Sequence, residues 1–109
     1  MNNPRVSLVS CPSYDSSVVQ AAVKRSVDFL GGVEQFIKPG ERVLLKPNLL
    51  SDSTPEQCVV THPQVLRAVI RLIKPVTSHI FCGDAPNVWG EEMDVNRVYE
   101  TSGVKKVCQ

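Results

Sequence analysis

No Cys-x-x-Cys pair occurs in this chain of 109 residues; its four cysteines, Cys11, Cys58, Cys82 and Cys108, are widely scattered. That spacing excludes a zinc ribbon and a ferredoxin-type cluster motif, and it makes reduced thiols the expected state. No Gly-x-Gly-x-x-Gly follows a strand pattern and no Walker-type Gly-Lys-Ser/Thr is present, which disfavours dinucleotide and nucleoside-triphosphate sites of the familiar kinds. A Gly-x-Ser-x-Gly nucleophile elbow is also missing. No apolar run approaches the ~20 residues of a membrane helix. The opening Met1-Asn2-Asn3-Pro4-Arg5 lacks the apolar region of a signal peptide. Cytoplasm, with no membrane partner, is therefore the expected setting. Neither sign of charge dominates: 12 basic against 11 acidic residues leave a net +1. Bulk electrostatics then gives no reason to expect a nucleic-acid partner.

What is present is ordinary for a soluble globular protein, with 42% hydrophobic and 21% charged residues. The length suits a single α/β domain over 1–109, small for an enzyme and partial in character. Val6, Leu8 and Ser10 alternate with Ser7 and Val9, which predicts a first strand over Arg5–Ser10. From Ser17 to Leu30 apolar residues recur at three- and four-residue steps (Val19, Ala22, Val23, Val27, Leu30), a helical stripe closed by Gly31-Gly32. Asp15, Ser16 and Ser17 offer acceptors to its free amides. Val43–Lys46 reads as a second strand that Pro47 stops, because proline has no donor and holds the preceding residue extended.

Ser51 to Thr61 has neither helical nor strand period and predicts a long polar loop, of a length usually functional or mobile. Thr61-His62-Pro63 opens a second helix, with proline at the first helical position and Val65, Leu66, Val69, Ile70 and Ile73 as its apolar face. Ser78–Cys82 predicts a third strand, Gly83 to Asn87 a turn, and about Glu92–Ser102 a third helix stopped by Gly103. The fold class expected is α/β: a three-layer arrangement around a small parallel sheet from a βαβαβα series, resembling half of a doubly wound fold.

In such a sheet the carboxyl ends of the strands and the amino ends of the following helices share one rim, where ligands bind. Lys46 and Asn48 leave the second strand there. Thr61 and His62 open the second helix, and Asp84 follows the third strand. A lysine beside a helix amino terminus favours a small anion. Asn48 could orient it, while His62 and Asp84 could move protons or hold a metal. By the same topology Cys11, Cys58 and Cys82 map to the rim and Cys108 to the tail. Strand spacing of about 4.8 Å disfavours a shared metal. Cys82 is expected buried, with Cys58 and Cys108 exposed and free. Taken singly, each rim residue is also readable as a turn former, a cap or a solvated charge.

Three ordered motifs carry a resemblance: Val43-Leu44-Leu45-Lys46-Pro47-Asn48-Leu49-Leu50, then Thr61-His62-Pro63-Gln64-Val65-Leu66-Arg67-Ala68-Val69-Ile70, then Cys82-Gly83-Asp84-Ala85-Pro86. Together they resemble the amino-terminal part of the domain-of-unknown-function 362 family. Members of that family run to several hundred residues, and many carry iron–sulfur clusters on carboxyl-terminal ferredoxin-type motifs. Neither that later half nor such a motif is present here. The resemblance implies a piece of a longer protein, with no cofactor held by this chain alone. A missing second domain, or a weak homodimer, would cover the exposed sheet. It implies a rim contributed to a redox or metal-cofactor enzyme; the alternative is a non-enzymatic binding or interaction module that keeps the fold.

Overall fold

The computed structural model describes residues 3–86 and 94–109. Helix α1 (Ser16–Asp28) starts with the Val19 amide bonded to the Asp15 carbonyl at 3.0 Å. The Asp15 carboxylate does not cap it; it accepts the Ser13 hydroxyl at 3.1 Å instead. The exit is as the glycines predict. Gly31 adopts φ +105°, its amide reaches the Asp28 carbonyl at 3.0 Å, and the Gly32 amide reaches the Val27 carbonyl at 3.1 Å. These are the paired bonds of a Schellman ending.

Strand β1 (Val43–Leu45) and strand β2 (Ile80–Cys82) pair in parallel, with Leu44 opposite Phe81. Helix α2 (Pro63–Ile73) connects them. Beyond β2 lie α3 (Val95–Thr101) and α4 (Val104–Cys108), so the tail after Gly103 is helical. Asn87 of the expected turn and Glu92 and Met93 of the expected helix fall outside the described residues. At Gly103 (φ +79°) a side chain would be strained, and a Cβ would stand 3.2 Å from the Pro63 ring. The turn between α3 and α4 thus seats closely on the start of α2. No described helix is long and apolar enough to cross a membrane.

The α/β class and the parallel pairing agree with the sequence, while the strand count differs. Arg5–Ser10 forms no strand, and the sheet of the described residues has two members. The segment lies along α1, held by the Ser26 hydroxyl donating to Ser7 Oγ at 3.1 Å, with Val6 90% and Leu8 92% exposed. Helical layering differs as well. Leu45 and Cys82 pack toward the core with Ile70 of α2 and Val107 of α4. Leu44 and Phe81, on the opposite face, stand exposed. The described residues therefore build one helical layer on the sheet, not the two of a three-layer fold. A Cα radius of gyration of 15.3 Å exceeds the about 13 Å expected of a closed domain this long, in keeping with that open face.

The core centres on Leu49, Val60, Leu66, Val98 and Val104. Leu49 and Val60 make an isolated antiparallel bridge that closes the Ser51–Thr61 loop at its base. Within it, Pro55–Gln57 forms a 3-10 turn whose Gln57 side chain accepts the Thr54 amide at 2.8 Å. Asp52 ties the loop to α3 through Arg97 at 2.7 Å. The loop is pinned at both ends, with the core residue Leu49 just before it and the core residue Val60 near its end.

Candidate ligand-binding rim

Pro47 ends β1 and leaves Lys46 at its carboxyl edge, where the ammonium meets Asp84 Oδ1 at 2.6 Å. The two partners differ in setting: the Lys46 side chain is 72% exposed and that of Asp84 only 5%. The other carboxylate oxygen, Oδ2, accepts the Leu49 amide at 2.8 Å. Asp84 thereby fastens the β1 exit to the β2 exit. Hydrogen bonding from Lys46, then from the Leu49 amide, holds its carboxyl below the usual aspartate range, against the opposing effect of burial.

Asn48 and Thr61 form a second pair. The Asn48 amide donates to Thr61 Oγ1 at 2.8 Å and the Thr61 amide donates to the Asn48 carbonyl at 2.8 Å. The Asn48 side-chain amide reaches the Val59 carbonyl at 3.3 Å. His62 is the cap of α2: its Nδ1 accepts the Gln64 amide at 3.2 Å. That bond requires an unprotonated Nδ1. Burial lowers the His62 pKa, while the Glu56 carboxylate opposes the shift. Glu56 itself is held low by its own backbone amide, with the Thr54 hydroxyl second.

All five residues singled out from the sequence therefore lie at the exits of β1 and β2 or at the start of α2. Lys46 bonds Asp84, Asn48 bonds Thr61, and Leu49 links the two pairs. His62 stands apart from the carboxylate. Its ring stacks on Tyr14 with centroids 3.7 Å apart and planes 8° from parallel. Tyr14 was not visible as a site residue, because it sits in a turn with no period to place it. Nor was Tyr99, whose hydroxyl accepts the Asp84 amide at 2.9 Å and donates to the Asp84 carbonyl at 3.1 Å.

Cys58 and Cys108 are exposed and free, as the sequence predicts, while Cys11 and Cys82 differ from expectation. Cys11 does not follow a strand, since none forms before it. Cys11, Cys58 and Cys108 are exposed, and Cys82 is half-buried where full burial was expected. Cys108 is not remote in a tail; α4 brings it to the Cys82 thiol. Among the described residues no three His, Cys, Asp or Glu side chains group as metal ligands.

The model of one family, Domain of unknown function (DUF362), matches residues 43–109, from β1 to the last residue. The chain belongs to this family. A curated relative, the thylakoid-associated protein of Synechocystis sp., is 41% identical over 81 residues. Those residues are 74% of this chain and 25% of the relative, so the chain spans about a quarter of the length of the protein it matches. No solved structure matches it. The family match begins at β1 and so takes in every residue of the rim except Tyr14.

Proposed function

We propose that the rim of this DUF362 chain binds a small anion, or the anionic part of a cofactor, and contributes that site to a larger redox or metal-cofactor enzyme. The observation that carries this reading is the Lys46 ammonium, held in place by a buried carboxylate yet 72% exposed. A lysine has three donors. One is used on Asp84, and the exposed ammonium can turn the others toward a ligand at the start of α2. The carboxylate is itself engaged by the Leu49 amide, which tempers its repulsion of an incoming anion. Thr61 and His62 flank the same edge. For an anion, Lys46 supplies charge and His62 an Nε2–H donor.

Sulfate titration followed by amide chemical shifts tests this. Shifts at Lys46, Asn48 and Thr61 that disappear in Lys46→Met are expected. Shifts confined to other surfaces reject the site.

A second reading, a binding module without catalysis, is favoured by how the rim's polar groups are used. Both Asp84 oxygens, His62 Nδ1 and the Asn48 side chain all hold backbone or loop structure. The readings separate on pH. Sulfate does not titrate near neutrality, so sulfate binding that follows the imidazole of His62 supports proton-transfer chemistry at the rim. Binding indifferent to that titration supports the module.

A further inference from the structure

Away from the rim ligands, α2, β2 and α4 enclose a cavity of about 450 Å³ lined by both Cys82 and Cys108. Cys82 ends β2 on the covered face and packs against the core, whereas Cys108 is the last residue of the five-residue α4 and is exposed. The cavity adjoins a groove of about 310 Å³ between α2 and α4, and Lys74 lines both. Four cations border that groove, Arg67, Arg71, Lys74 and Lys106, and no carboxylate does. Among the described residues none of the four makes an ion pair. Arg71 is instead turned to Ser16 and Gln20 of α1, at 3.1 Å each. A negatively charged molecule is thus attracted to a basic groove that adjoins the cavity of the two thiols.

We propose that Cys82 and Cys108 are a thiol–disulfide exchange site, which an anionic low-molecular-weight disulfide oxidises to an intramolecular bond joining β2 to α4. The exposed Cys108 loses its proton and attacks one sulfur of the small disulfide. That bond breaks, and the departing thiolate takes up a proton. Cys82 then loses its proton and attacks the Cys108 sulfur of the mixed disulfide, releasing the second small thiol. Two protein thiols are oxidised to one disulfide and one small disulfide is reduced to two thiols. The order follows from the settings of the two groups. Burial, and then the neighbouring Cys108 thiol, pushes the Cys82 thiol up to about 12, so it is a poor first nucleophile. Once Cys108 is in the mixed disulfide, it no longer places a thiolate charge beside Cys82. The second step remains the slower one, and the Cys108 adduct accumulates.

Glutathione disulfide, an anionic probe, and 2-hydroxyethyl disulfide, a neutral one, test this on the full chain. Cys11→Ser/Cys58→Ser leaves only the pair. Mass spectrometry is expected to show a glutathione adduct on Cys108 first, then loss of two hydrogen atoms from the protein with no adduct. Cys82→Ala should stop at the adduct, and Cys108→Ser should form neither product. Lys74→Gln/Lys106→Gln should slow reaction with glutathione disulfide severalfold and leave the neutral disulfide unaffected, a comparison that charge alone moves. Three results would overturn the proposal: an adduct on Cys108 that never closes at any ratio of oxidised to reduced glutathione, first attack at Cys82, or equal slowing with both probes.

Discussion

Arg5–Ser10 and Val43–Leu45 carry similar apolar residues in their sequences, and only the second becomes a strand. The difference lies in partners. The Val43 amide reaches the His79 carbonyl at 2.9 Å, and the Gly83 amide reaches the Leu45 carbonyl at 3.0 Å. Helix α2 brings β2 back beside β1, and the Leu49–Asp84 bond locks the exits of both. Arg5–Ser10 has instead the Ser26–Ser7 hydroxyl bond and contact with α1. Alternation specifies two faces of an extended segment, but a strand also needs a neighbour for its amides. Stability should therefore concentrate at the β1 exit and be nearly absent from the amino-terminal segment.

The largest expected loss comes from the residue that joins core and rim. Leu49 is fully buried, and Leu49→Ala should lower unfolding free energy by about 3 kcal/mol in urea titration. A change below about 1 kcal/mol would place the core elsewhere. Asp84→Ala leaves the Leu49 amide without its partner and should cost about 2 kcal/mol in the same measurement. Asp84→Asn, which keeps an acceptor, should cost less.

His62→Ala removes the α2 cap and should cost about 1 kcal/mol. Its pH dependence has a definite sign. Because the native imidazole has a pKa below its ordinary 6.5, the unfolded chain binds more protons between the two values. The contribution of His62 is full above pH 6.5 and is lost as pH falls from there through the native pKa. Wild type should therefore weaken over that window relative to His62→Ala. Parallel stability curves for the two proteins would mean that the native fold does not lower the His62 pKa.

The smallest effect is expected at the other end of the comparison. Val6→Ser/Leu8→Ser removes two side chains that are already about nine-tenths exposed and should change stability by less than about 0.5 kcal/mol per site. Amide exchange should run in the same order, fast over Arg5–Ser10 and slow at Leu45 and Leu49. A large loss in the double variant would show that the segment pairs with a strand in solution.

Features fixed within a few residues of one another were legible in the sequence. The stripe from Val19 to Leu30 and the glycines after it define α1 and its exit, and Thr61-His62-Pro63 marks the start of α2. Pro47 sets the end of β1, and with parallel topology that places Lys46, Asn48, Thr61, His62 and Asp84 at neighbouring exits. Periodicity, capping and proline geometry are local, so they can be read from order along the chain. Tertiary structure alone decided which groups meet. It set Tyr14 on His62 and Tyr99 on the Asp84 backbone, brought Cys108 to Cys82, and left Arg5–Ser10 without a strand partner. Those outcomes depend on how α1, α3 and α4 pack on α2, and packing is a contest among many apolar surfaces that no short stretch of sequence records.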